Sequence, residues 1–250
     1  MTSPERHVVA VVEDHSLFAD SLLLALEIDG YDMCRATLDD EYTPTSRLVA
    51  AILGFHPRTV LLDLELGPQG DGMRLIQPLA LARVAVVVVT GSADRVRWGE
   101  CLRNGACKVV GKGTSLREIR SLMRRLDHGL PVLAPAEREE LFGLWRHHQA
   151  EMLDLHERFG RLTRRESEVL SLLMAGQQVS DIARARYVAE STVRTQVKAV
   201  LGKLQVSSQL AAVGLAHRAG WQATADAATS ARVPAPRRPT DDAVRLNHQG

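Results

Sequence analysis

At 250 residues, 45% apolar and with a formal net charge of +1, the chain has room for one large globular domain or two small ones. It lacks the charge excess of a wholly disordered protein. The longest clean apolar run, Val84–Val89, is far short of a bilayer span, and the polar Met1–His7 segment does not read as a signal peptide, so a cytoplasmic protein with no membrane association is expected.

From the N-terminus, short β-branched runs alternate with helical patterns. Strands are predicted at His7–Val12, Tyr31–Thr37, Thr59–Leu62, Val84–Val89 and Cys107–Val110. Helices are predicted between and after them at Ser16–Ile28, Ser46–Leu53, Met73–Leu81, Arg95–Arg103 and Leu116–Leu126. Five such repeats predict an α/β domain over 1–128, a five-stranded parallel doubly wound sheet of the flavodoxin type. The runs at 8–12 and 84–89 are apolar at every position, as strands covered on both faces should be. Cys34, Cys101 and Cys107, odd in number and without CxxC spacing, are expected to be buried free thiols.

After Gly129-Leu130-Pro131 a single long helix is predicted near Ala136–Phe159 within a linker over 129–160. Leu141, Trp145, His148, Met152, Leu155 and Phe159 form a heptad stripe along it. The stripe is compatible with packing on the chain's own domains or with a short parallel dimer coil. Residues 161–220 carry nine Lys and Arg against four Asp and Glu and read as an all-α four-helix unit. Thr163-Arg-Arg-Glu166 opens it with a capping box, followed by helices at Asp181–Arg186, Ser191–Leu204 and Gln209–Ala219. The tail over 221–250, rich in Ala, Thr, Pro and Arg, is expected to be disordered.

Polar residues interrupt the apolar runs at informative points. Glu13 and Asp14 follow the first strand, Asp63 the third and Thr90 the fourth, while Lys112 lies just beyond the fifth. In an open parallel sheet the carboxyl ends of the strands share one edge, where ligands bind. Three carboxylates gathered there repel one another, so a divalent cation is expected, and hard oxygen ligands suit Mg²⁺. With that charge neutralised, Asp63 becomes a plausible phosphoryl acceptor, with Lys112 and the Thr90 hydroxyl placed to meet phosphoryl oxygens. Gly111-Lys112-Gly113-Thr114 is no P-loop, since the glycine five residues before Gly111 is missing and Gly113 replaces the Ser or Thr after the lysine.

With the acidic pair Glu13-Asp14, the acceptor Asp63, the hydroxyl Thr90 and Lys112, residues 7–128 resemble the receiver domain of two-component signalling. The resemblance implies that a histidine kinase donates the phosphoryl group and that the Glu65 backbone carbonyl joins the metal ligands. Two departures stand out. The loop Leu64–Gly72 is one residue longer than usual, and Val109 replaces the Tyr or Phe that commonly serves as a rotamer switch.

In the basic unit, Val193, Val197, Val200, Leu201 and Leu204 form the buried stripe of the third helix, with Arg194, Thr195 and Lys198 on the opposite side. Leu162–Leu170, Gly176, Ile182-Ala183, Ser191-Thr192-Val193 and Lys203-Leu204 resemble the LuxR/NarL-type helix-turn-helix in order and spacing. That resemblance implies DNA contacts in the major groove from Ser191, Thr192, Arg194, Thr195 and Lys198, a backbone contact from Lys203, and a dimer surface on the fourth helix. Here Arg186 replaces a usual buried Leu, Ala189 a capping Ser and Gln196 a His. The expectation is a transcription regulator switched by phosphorylation, a homodimer when active, and not an enzyme. The alternatives are a regulator that works without phosphorylation and, more remotely, a phosphatase with Asp63 as nucleophile; against the latter, no second carboxylate near Asp63 in sequence is placed as a general acid.

Overall fold

The computed structural model describes residues 7–38 and 42–222; most of the expected disordered tail, from 223 on, lies outside them. The chain divides into two compact units, 1–149 and 150–250.

In the first unit β1 (Val8–Val12), β2 (Asp32–Arg35), β3 (Thr59–Leu62), β4 (Ala85–Thr90) and β5 (Lys108–Gly111) form one parallel sheet in the order β2-β1-β3-β4-β5. The helices are α1 (Ser16–Glu27), α2 (Thr45–Leu53), α3 (Met73–Leu81), α4 (Arg95–Arg103) and α5 (Leu116–Asp127). Alternate strand residues feed two cores. Val9, Val11, Leu61, Val87 and Val89 pack with α1 and α5, while Ala10, Val12, Val60, Leu62, Val86 and Val88 pack with α2, α3 and α4. Both faces are thus covered, which accounts for the unbroken apolar runs. All three cysteines are free, and burial pushes their thiols up, that of Cys101 to about 12.

α6 (Pro135–Gly160) contributes to both units. In the first, Leu141 is buried in the core beside α4. A Cβ on Gly99 of α4 would stand 2.3 Å from the Leu141 carbonyl oxygen and 2.9 Å from the Trp145 Cβ, so only glycine permits this approach. Lys108 donates to Glu137 at 2.6 and 2.7 Å, and Arg95 pairs with Glu140 at 3.0 Å. In the second unit, Phe159 of α6 packs with α7 (Arg164–Met174), α9 (Glu190–Leu204) and α10 (Gln209–Arg218), while α8 (Val179–Ala185) packs against α7 and α9. The stripe's end members, Leu141 and Phe159, are therefore buried within their own units.

Most element ends fall within one residue of the sequence expectation, and three departures go further. β2 covers only Asp32–Arg35, because an edge strand pairs with β1 alone and ends where that ladder ends. α8 starts at Val179, two residues before the expected Asp181, after an extended Gln178. Trp221, assigned to the tail, packs instead, with its ring stacked on Phe159 at 5.4 Å. Among the described residues no single helix is long and apolar enough to cross a membrane.

Candidate functional site

β1 and β3 are hydrogen-bonded neighbours, Val12 opposite Leu62. The next residues along each chain, Glu13 and Asp63, therefore emerge side by side. Ligand atoms of Glu13, Asp14, His15 and Asp63 all lie within 4.8 Å of one another. Lys112, past the end of β5, donates to Asp63 Oδ2 at 2.8 Å and to Glu13 Oε1 at 2.9 Å. Its backbone N–H donates to the Thr90 carbonyl at 2.8 Å, which ties the two strand ends together. The Glu13 and Asp63 side chains are only 3% and 1% exposed.

Burial pushes the Glu13 carboxyl above its usual value, and the bonds from Lys112 and the His15 N–H do not offset it. Burial alone would lower the Lys112 ammonium, but its bonds to Asp63 and Glu13 outweigh that and hold it above the usual lysine value. Asp63 Oδ1, in contrast, is buried with no hydrogen-bond partner among the described residues. A buried carboxylate oxygen without a donor is costly and calls for a cation or an incoming donor. The residues present thus fit a hard divalent ion.

The loop after Asp63 closes at its base. Gly72 N–H donates to the Leu64 carbonyl at 2.8 Å, Glu65 and Asp71 form an isolated bridge, and residues 67–69 make a short 3-10 turn. A Cβ on Gly72 would be 2.1 Å from the Asp63 carbonyl oxygen, and one on Gly67 2.9 Å from Asp14 Oδ2. Beside the acids a cleft of about 480 Å³ opens, lined among others by Glu13, Asp14, Arg35 and Pro68. Thr90 is fully buried, and its Oγ1 accepts from the Ser92 N–H at 3.1 Å. Ser92 in turn accepts from Trp98 Nε1 through its carbonyl at 2.9 Å.

Sequence reasoning missed His15 and Arg35. His15 precedes α1 and sets Nδ1 2.9 Å from Asp14 Oδ1; its place directly after the acidic pair was the available signal. Arg35 donates to the Glu13 carbonyl at 3.4 Å, a contact across strands that no local pattern announces.

In the second unit, α8, a short turn and α9 form a helix-turn-helix. Val193, Val197, Val200 and Leu204 are buried, while Ser191, Thr192, Arg194, Thr195 and Lys198 are exposed on the other side of α9. Arg194 pairs with Glu190 at 3.2 Å, and Thr195 Oγ1 donates to the Ser191 carbonyl at 2.9 Å. Ala189 at the N-cap offers no side-chain acceptor. Arg186 is held by Glu168, which also pairs with Arg164 at 3.3 Å. Lys203 is engaged inside the fold, donating to Glu166 at 2.6 Å, while Glu166 closes the capping box with Thr163.

Burial raises the Glu166 carboxyl, but the bonds from Lys203 and Thr163 outweigh it and leave its pKa below the usual 4.5. A depressed folded-state pKa gives stability that is present above the unfolded value and lost as pH falls through the folded one. The thermal midpoint of the helical unit should therefore drop as pH falls below 4.5, and Glu166→Gln should flatten that acid limb; circular dichroism melts across the acid range would show it.

Residues 161–216 match the family model "Bacterial regulatory proteins, luxR family". The chain is 29% identical over 217 residues to the "Probable transcriptional regulatory protein NarL" of Mycobacterium tuberculosis, covering 86% of this chain and 95% of that protein. It is 24% identical over 215 residues to the transcriptional regulatory protein DesR of Bacillus subtilis, covering 85% and 98%. Among solved structures, the RcsB response regulator of Salmonella typhimurium aligns over 86% of this chain and 100% of that one, at 19% identity and a TM-score of 0.45. With acids gathered at one edge of a parallel sheet and a helical unit that matches the luxR-family model over residues 161–216, the chain is a DNA-binding transcriptional regulator similar over most of its length to regulators of the NarL type.

Proposed function

We propose that this regulator is cytoplasmic, that its Asp63 accepts a phosphoryl group from a histidine kinase, and that the resulting acyl phosphate alters dimerisation or interdomain packing and so promoter binding. The observation that carries this reading is the split environment of the Asp63 carboxylate, one oxygen held by Lys112 and the other buried and unpartnered. In the transfer an Asp63 carboxylate oxygen attacks phosphorus, the phosphorus–nitrogen bond of the phosphohistidine breaks, and the imidazole leaves with that electron pair. Glu13, Asp14, Asp63 and the Glu65 backbone carbonyl would hold Mg²⁺, which when bound supplies neutralising charge at the phosphoryl oxygens. Lys112 remains beside the acceptor and offsets the charge that arrives.

Thr90 exchanges its Ser92 partner for a phosphoryl oxygen, now as donor. That exchange slackens the Ser92–Trp98 link to α4 and so reaches α6 at Gly99, a route that needs no aromatic residue at Val109. Arg194, Thr195 and Lys198, with Ser191 and Thr192, enter the major groove, and two paired copies read paired half-sites. Lys203 is assigned to holding Glu166.

Incubation with acetyl phosphate and Mg²⁺ tests the acceptor. Intact-mass measurement should show one phosphoryl adduct on the wild type, lost with EDTA and absent from Asp63→Asn. No adduct from any of several small donors would leave a regulator that works without phosphorylation.

A further inference from the structure

The turn between α8 and α9 holds a residue that the fold does not explain. Arg186 is the C-cap of α8, and Val188 N–H reaches back to the Ala183 carbonyl at 3.1 Å. This is a Schellman-type ending, and Tyr187 occupies the position after the cap where glycine is usual. Its φ is +55°, a left-handed conformation in which a bulky side chain is an outlier. Among the described residues the other non-glycine positions of positive φ are His56, Arg83 and Gln205, all polar. Tyr187 is the one that carries a phenyl ring.

The ring repays none of this cost by burial, since Tyr187 is 96% exposed, and its hydroxyl makes no hydrogen bond among the described residues. The Arg186–Glu168 pair fixes the turn just before it, so the ring is presented on an anchored backbone. Two residues later comes Ala189, the N-cap of α9, followed by the exposed Ser191 and Thr192. Three residues earlier is Arg184, its side chain 81% exposed.

We infer that Tyr187 is a positioning residue for DNA, its phenol donating to a backbone phosphate beside the groove that α9 enters. The inference rests on the DNA-binding reading of α9 and adds a contact to it. Tyrosine hydroxyls, helix N-termini and basic side chains make the phosphate contacts that set a protein's register on the duplex. A strained, solvent-facing aromatic at this point is accounted for if DNA is its partner.

A phenol carries no charge at neutral pH, which gives the test a readout that a cation would not share. Binding of the full chain to a mixed-sequence duplex is measured across a salt series, with and without acetyl phosphate. Tyr187→Phe, which keeps the ring and removes the donor, should weaken binding about threefold to tenfold with the slope against log salt unchanged. Lys198→Ala should lower that slope by about 1. Tyr187→Gly should bind at least as weakly as Tyr187→Phe while melting about 2–4 °C higher, because glycine relieves the backbone.

Wild-type binding matched by both Tyr187 variants would overturn the inference and leave the α9 reading standing. A Tyr187→Gly chain that melts lower would also overturn it, by giving the ring a role in the fold. A wild type that retains no duplex under either condition would overturn the DNA reading itself, and this inference with it.

Discussion

Lys112→Met should destabilise the metal-free sheet unit by about 3–5 kcal/mol, because it strands two buried carboxylates without their shared cation. Glu13 and Asp63 are almost wholly shielded from water, and Lys112 Nζ lies 2.8 Å from Asp63 Oδ2 and 2.8 Å from Glu13 Oε2. Methionine keeps much of the aliphatic stem and removes only the charge, so cavity formation contributes little. In thermal melts this corresponds to a midpoint lowered by roughly 10 °C, with millimolar Mg²⁺ restoring part of it by replacing one cation with another between the acids. Acetyl phosphate labelling should fall by about two orders of magnitude, the usual scale for losing one electrostatic partner of a developing charge. A Lys112→Met chain that melts like the wild type in EDTA would show that the carboxylates are not energetically coupled to the ammonium.

Gly99→Val should dislodge the front of α6 from α4. The added Cβ would fall 2.3 Å from the Leu141 carbonyl oxygen, backbone that cannot move without the helix. Lifting the helix exposes Leu141, now 1% exposed, and strains the Lys108–Glu137 and Arg95–Glu140 pairs. The loss should be about 3 kcal/mol, or about two orders of magnitude in amide exchange protection over residues 135–145. Trp98 and Trp145 flank the contact, so the emission of the chain should shift to longer wavelength. Unchanged exchange there would mean that α6 is not held by this approach.

The parts legible in the sequence are those where one strong local rule decides. Val8–Val12 and Thr59–Leu62 read as strands because all of their residues but Val8 are buried, and their ends give Glu13, Asp14 and Asp63 directly. Thr163-Arg-Arg-Glu166 reads as a helix start because the capping box is local, and both of its reciprocal bonds are present. Contacts between elements remote in sequence are not legible in this way. Nothing near Gly99 in sequence announces Leu141, and nothing near Lys203 announces Glu166. Arg35 reaches Glu13 only because β2 lies beside β1 in the sheet. Tyr187 is visible as a residue but not as an anomaly until its backbone angle and exposure are known. Trp221 reads as tail from the composition of the segment that follows it, yet its ring stacks on Phe159.

The strand order has a consequence for how the regulator can change over time. The acids owe their spacing to the β1–β3 ladder and not to the 64–72 loop, which is tied at its neck by Gly72 and at its tip by Gln69, bonded to Thr43 and Arg74. A residue added to or lost from that loop should therefore leave Asp63 beside Glu13. Dropping one residue from β3 would turn Asp63 toward the opposite face of the sheet and silence the chemistry in a single step.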